Sequence, residues 1–233
     1  MKWTSLIRAF VPMAACAVLT AQTCTIPDRD PRTRPTRVDY QNQVPTDYYM
    51  LALSWSPAFC AQASGGRSNF QCAQNKFGFV VHGLWAQSAR ARGSQDHPRN
   101  CKPPEVLPGS LTRKYLCIIP DAQLIQDEWN KHGACAFPNA QTYLEQEKTL
   151  WDSLQKPDLS TLPRNVRAKQ VRDAWVNANR AIGMKAENVF IDVRSDNVFE
   201  EARICYDKQF KLTRCLQRGT PDDIEVRVIP RLR

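Results

Sequence analysis

The chain has 233 residues, with 32 Lys and Arg against 23 Asp and Glu and a formal net charge of +9. That length supports one domain with a sizeable core rather than two small ones, and the charge favours polyanionic partners. The first apolar run, "VPMAACAVLTA", is too short and too poorly flanked to span a membrane.

With Lys2 and Arg8 ahead of that run and polar "QTCT" behind it, residues 1–23 read as a secretory signal peptide cut between Ala17 and Thr23. Its removal takes two cations and no acid, so the mature charge falls to +7. The expected destination is the periplasm or the exterior. Cys16 leaves with the leader, and Cys24, Cys60, Cys72, Cys101, Cys117, Cys135, Cys205 and Cys215 remain. An even set in an exported chain implies up to four disulfides. Cys205 and Cys215 flank the hairpin-like "YDKQFKLTR" and are expected to pair; spacing leaves the other six open. No CxxC occurs, which weighs against zinc.

Residues 24–46 carry four prolines and a dense mix of charge, and read as an extended or disordered arm. The folded domain, residues 47–233, opens on "YYMLALSWSP" with a strand from Tyr48 to Trp55. Residues 61–76 are polar and glycine-containing and are expected to form a loop. "FGFVVHGLWAQ", residues 77–87, supplies a second strand expected to stop at His82, ahead of Gly83. A long polar loop from Ser88 to Pro108 carries Arg90, Arg92, Arg99 and Lys102, with Cys101 as its expected anchor.

Three helical patterns follow. "DAQLIQDEWNKHGACA" places Leu124, Ile125 and Trp129 on one side behind a capping Asp121. "NAQTYLEQEKTLWDSL" and "RNVRAKQVRDAWVNANRAIG" repeat apolar residues at helical spacing, the latter ending at Gly183. Trp129, Trp151 and Trp175 are read as core. "NVFIDVRS", "EEARICYD", "FKLTRC" and "DIEVRVIP" are strand-like. Strands, then helices, then strands indicate an α+β fold: a largely antiparallel β-sheet flanked by helices in one disulfide-stabilised domain.

His82 is one of three histidines, and its meaning depends on a partner. If "DEWNKHGACA" is helical, Glu128 and His132 are four residues apart on one face, with Lys131 beside the same groove. Two imidazoles with a cation and a carboxylate suit phosphodiester transesterification. A neutral histidine takes the proton of a ribose 2′-hydroxyl, and a protonated one supplies the departing 5′-oxygen. The lysine stabilises charge on the phosphorane oxygens, and no metal or other cofactor is required. Only RNA has the attacking hydroxyl, so DNA is not expected to be cut.

"FVVHGLWAQ" and "DEWNKHGAC", in this order and about fifty residues apart, resemble the two active-site segments of the ribonuclease T2 family, its bacterial exported members in particular. "LALSWSPAFC" is similar to that family's first core strand and following cysteine, and the resemblance covers roughly residues 46 to 217. It implies His132 as general base, His82 as general acid, Glu128 and Lys131 acting on the pentacoordinate phosphate, and Trp85 as a platform for a nucleobase. It further implies an endoribonuclease passing through 2′,3′-cyclic phosphates to 3′-phosphate ends, an antiparallel sheet with flanking helices, and a Cys101–Cys135 bridge. The chain is expected to act on single-stranded RNA as a monomer.

This sequence departs from the family pattern in two places. Asp127 stands where many members have a third histidine, and Ala86 and Gln87 follow Trp85 where many have proline and some an acidic base-selecting residue. The second departure implies a broad base preference. His97 matches neither segment and reads as a loop residue. Neighbours on a helix diverge by about 100°, so Asp127 is expected to leave the face that Glu128 and His132 share.

Two other classes compete. A metal-dependent phosphodiesterase would use His82, His97, His132 and Glu128 as ligands, but the helix offers E-x-x-x-H rather than H-E-x-x-H. A non-catalytic RNA-binding scaffold would have no reason to keep His82, Glu128, Lys131 and His132 together. The plainer readings of single residues stay open: Trp85 as core, Glu128 with Lys131 as a surface ion pair, and the arginines of residues 90–113 as solvated charge rather than phosphate contacts.

Overall fold

Side chains that alternate between two faces build the central sheet. In β1 (Tyr48–Trp55), Tyr49, Leu51, Leu53 and Trp55 enter the main core, while Tyr48 and Met50 lie on the other face with Phe190 and Cys205. β1 pairs antiparallel with β2 (Phe79–Gln87) and with β5 (Phe199–Tyr206), and β5 pairs with β4 (Val189–Val193). The strand order is β2-β1-β5-β4. This computed structural model describes residues 24–62 and 69–231; the signal peptide expected at residues 1–23 lies outside them.

Helices α3 (Ala122–Lys131), α4 (Ala140–Ser153) and α5 (Ala168–Ala178) bury Ile125, Trp129, Tyr143, Leu144, Val171 and Trp175 in the core that the sheet also feeds. Asp121 caps α3 by accepting from the backbone N–H groups of Gln123 and Leu124, and Asn139 caps α4 through Thr142. Two five-residue helices, α1 (Ser56–Cys60) and α2 (Gly109–Arg113), and a ribbon of β3 (Asn165–Arg167) with β6 (Glu225–Arg227) join them, and Asn69–Gln74 form a π-helical turn where the sequence suggests a loop. Among the described residues no helix is long and apolar enough to cross a membrane.

Several boundaries differ from those the sequence suggests. The third helix begins at Ala168, because residues 165–167 pair with β6 instead. "FKLTRC" is not a strand. Asp207 closes the turn by accepting from the N–H groups of Gln209 and Lys211, and beyond a single bridge at Leu212 the chain leaves for Glu187. Of "DIEVRVIP" only residues 225–227 are strand. Trp129 and Trp175 are fully buried, but Trp151 is half-buried under the Lys156 ammonium, 4.2 Å from its ring centroid.

The disulfides are Cys24–Cys117, Cys60–Cys72, Cys101–Cys135 and Cys205–Cys215. The first ties down the start of the arm. From there residues 33–36 follow α3: Arg34 N–H donates to Gln123, Thr33 to Gln126, and the buried Thr36 hydroxyl donates to Asp127 Oδ1 while accepting from Asn130. Asn42 and Arg99 then exchange both backbone hydrogen bonds at 2.9 Å. The arm is extended, and its own polar groups hold it along one helix.

Candidate active site

β2 does not stop at His82. It continues to Gln87, and its pairing with β1 steps from Leu53↔Val81 to Ala52↔Gly83, leaving His82 as the unpaired residue of a β-bulge. The bulge puts His82 and Trp85, three positions apart, in the two half-buried positions of the strand. Gly83 reads as a strand breaker but serves for space, since a Cβ there would meet Glu128 Oε2 and Trp85 Nε1. β2 is an edge strand, and the N–H of Leu84 is satisfied from α4, by Glu147 Oε1 at 2.8 Å and the Tyr143 hydroxyl at 3.1 Å.

α3 brings the other half of the site. His132 has left helical geometry, yet its N–H still donates to the Glu128 carbonyl at 2.9 Å, which keeps the two side chains together. The Glu128 carboxylate lies between the imidazoles: Oε1 is 3.6 Å from His82 Nε2, and Oε2 is 4.0 Å from His132 Nε2. Trp85 Nε1 donates to Oε2 at 2.7 Å, and the Trp85 ring centroid lies 5.2 Å from that of His82 and 5.7 Å from that of His132. These four residues and Lys131 line a cleft of about 900 Å³, shared with Tyr40, Gln87, His97, Arg99 and Arg203.

The two histidines have opposite surroundings. His82 Nδ1 is 2.5 Å from Glu201 Oε1, which also accepts from Ser54 Oγ at 2.7 Å, and Arg203 Nε donates to Glu201 Oε2 at 3.0 Å. Burial opposes charge on His82, but the hydrogen bond to Glu201 and the nearby Glu128 outweigh it and lift the imidazole to about 9. Burial would likewise raise Glu201, yet His82 and Arg203 hold its carboxyl down at about 2. For His132 burial first, then the positive charges of Arg99, His82 and Lys131, lower it to about 3 against the opposing charge of Asp39. Arg99 Nη1 lies 3.2 Å from His132 Nε2, while His132 Nδ1 is buried without a hydrogen-bond partner among the described residues. Glu128 is pushed up by burial, against the pull of His82, Trp85 and Lys131.

The remaining singled-out residues lie around this centre. Asp127 turns to the arm and accepts from Thr36 Oγ1 and Gln123 Nε2. His97 is a loop residue, but a buried one, with Nδ1 accepting from Ser88 N–H at 3.1 Å on the cleft wall. Gln87 is buried, and its amide donates to the Ala86 carbonyl. Arg203 covers the Trp85 ring, its Cζ 4.8 Å from the centroid.

Glu201 and Arg203 are the contributors that sequence reasoning passed over, and Arg99 stood only among the arginines of residues 90–113, with nothing to single it out. The alternation in "EEARICYD" held a signal for the first two. Ala202, Ile204 and Tyr206 enter the core, so Glu201 and Arg203 share the opposite face of a central strand, where a buried charge needs a partner. Among the described residues no group of three or more His, Cys, Asp or Glu could hold a metal ion.

Known proteins are similar to this chain. The model of the Ribonuclease T2 family matches residues 46–215. A "Probable ribonuclease" of Haemophilus influenzae is 40% identical over 182 residues, covering 74% of this chain and 62% of that protein. The chain thus spans less than two thirds of that relative's length. Trichomaglin, described as a novel S-like ribonuclease, superposes with a TM-score of 0.62 at 21% identity over 80% of this chain and 98% of its own. RNase NT, solved in complex with 5′-AMP, gives 0.58 at 18% identity over 81% and 100%. At such identities the structural likeness speaks for the fold, an antiparallel sheet flanked by helices.

Proposed function

Because the chain belongs to the ribonuclease T2 family, we propose that it is a metal-independent endoribonuclease that cleaves single-stranded RNA by transesterification, through 2′,3′-cyclic phosphates to 3′-phosphate ends. One observation carries this: two imidazoles face the two oxygens of a single carboxylate, in surroundings that raise His82 and lower His132. His132, kept neutral, accepts the 2′-hydroxyl proton at Nε2. His82, kept protonated by Glu201, gives its Nε2 proton to the leaving 5′-oxygen. Lys131 and the positive edge of the cleft stabilise the phosphorane, and Glu128, lying between the two rings, acts with Lys131 on the pentacoordinate phosphate. Hydrolysis of the cyclic phosphate reverses the two proton transfers.

A base stacks on the part of Trp85 left open to the cleft. The buried Gln87, engaged with the Ala86 carbonyl, presents no carboxylate to select among bases, so preference is broad. All these groups sit on one chain, so a monomer suffices. Four disulfides suit the periplasm or the exterior, reached through a leader at residues 1–23.

The test offers RNA and DNA oligonucleotides of one sequence in excess EDTA, with product termini identified. RNA alone is expected to be cut, leaving cyclic phosphate ends. DNA cleavage at a comparable rate, or loss of activity with EDTA, would refute the proposal.

A further inference from the structure

We propose that Arg99 is a catalytic residue of this site, a ligand for a non-bridging oxygen of the scissile phosphate, and that the N-terminal arm positions it through Asp39. The proposal rests on the ribonuclease reading above and adds a group to it.

The guanidinium of Arg99 is divided between two partners. Nε lies 3.0 and 3.1 Å from the two Asp39 oxygens and Nη2 lies 2.6 Å from Oδ2, so one edge of the fork is taken by the arm. Nη1 projects from the other edge into the cleft and reaches His132 Nε2 at 3.2 Å. The arrangement is fixed from several sides. Asn42 and Arg99 exchange backbone bonds, and the Tyr40 ring lies 5.1 Å below the Arg99 Cζ. The buried Asn100 donates to Asp39 Oδ1 and to the Tyr40 carbonyl, while its own N–H binds the carbonyl of Lys131. The arm, the loop and the end of α3 thus meet at one guanidinium.

Arginine donates at every nitrogen and accepts at none. Its contact with His132 therefore requires the lone pair on Nε2 and the proton on Nδ1, the tautomer a base needs. Among the described residues no other hydrogen bond sets that tautomer, since Nδ1 is buried without a partner there. The same contact occupies the lone pair, so the empty site is capped. An incoming phosphodiester offers Nη1 an anionic oxygen, a better acceptor than a neutral imidazole. As Nη1 moves to it, Asp39 retains Nε and Nη2, and His132 is released to take the 2′-hydroxyl proton. Asp39, held well below the usual carboxylate range chiefly by its hydrogen bond to Arg99, acts through Arg99 and is a positioning residue.

The experiment uses the full disulfide-bonded chain, with a short RNA oligonucleotide as substrate and inorganic phosphate as competing anion. Arg99→Gln is expected to lose about 10- to 100-fold in kcat/KM, the range of a charge-assisted hydrogen bond, and to weaken phosphate inhibition about as much. Arg99→Lys, which keeps the cation without a fork to share, loses less in both; it carries the test if the glutamine variant folds poorly. Asp39→Ala is expected to lower kcat/KM in the native background and to cost nothing more in the Arg99→Gln background. Arg99→Gln within threefold of the native chain, with phosphate inhibition intact, would overturn the proposal. Additive losses in the double variant would overturn the role of the arm. His132→Ala runs alongside: if it retains activity, the ribonuclease mechanism itself fails, whereas its loss beside an unaffected Arg99→Gln defeats the present proposal alone.

Discussion

Glu201→Gln isolates the carboxylate that keeps His82 charged. The amide retains an oxygen able to accept from His82 Nδ1 and Ser54 Oγ, now 2.5 and 2.7 Å away, while it removes the negative charge and the second oxygen, which accepts from Arg203 Nε. In the native chain His82 stands at about 9 against 6.5 for an ordinary imidazole. That gap is worth about 3 kcal/mol at 1.36 kcal/mol per unit. Glu128 supplies part of it, and the His82 side chain is 35% exposed to water that screens the pair. The share lost with Glu201 is therefore about one to two pH units. A general acid works only when protonated, so the alkaline limb of kcat/KM follows His82 in the free enzyme and must move down. A limb moved from about 9 to about 7.5 costs about fourfold at pH 8 and almost nothing at pH 6. Initial rates on a short RNA from pH 5 to 10, at constant ionic strength, measure this directly. A limb that stays in place, or a loss equal at every pH, would refute the assignment of Glu201 as the charge that holds the acid.

Three further outcomes follow from the same geometry. Asp127→Asn should change kcat/KM by less than about tenfold, because Asp127 faces Thr36 and Gln123, while Glu128→Gln costs far more; the opposite ranking would show that the wrong carboxylate has been placed between the histidines. Gly83→Ala drives a methyl into the far end of the Glu128 side chain, so it should leave thermal stability near native while kcat/KM falls about 10- to 100-fold; a large drop in Tm would mean that the backbone, not the carboxylate, gives way. Glu147, fully buried, is raised by that burial from 4.5 to about 8, so the folded state binds its proton more tightly and stability declines as pH rises between those values. Glu147→Gln should flatten this decline, each kcal/mol being worth about 2–4 °C in Tm; parallel Tm-versus-pH curves for the two proteins would contradict it.

The candidate site was legible where residues are close in the chain or carry a distinctive type. A four-residue spacing put Glu128 and His132 on one side of a turn, and an apolar run ending in a histidine marked His82. The bulge was not legible. Gly83 looks like a terminator because glycine weakens strands, and only the approach of Glu128 from another element shows why no side chain fits there. Glu201 is 119 residues from His82, and Asp39 is 60 from Arg99, so no local pattern could pair them. The arm was ambiguous for a physical reason. Its prolines and charges exclude helix and sheet, and whether such a segment is held depends on partners elsewhere, here Gln123, Asp127, Asn130 and Arg99. "FKLTRC" reads as a strand from its alternation, but Asp207 and the Cys205–Cys215 bridge close the chain before a ladder can form.

The central claim is that one histidine of the site rests charged and the other neutral at the same pH. An NMR titration of the full chain with isotope-labelled histidine reads both rings directly, with His97→Gln serving to assign the third. The account predicts an imidazole that stays protonated up to about pH 9, His82, and one that stays neutral down to about pH 3, His132. Two rings titrating together near 6.5, or in the reverse order, would contradict it.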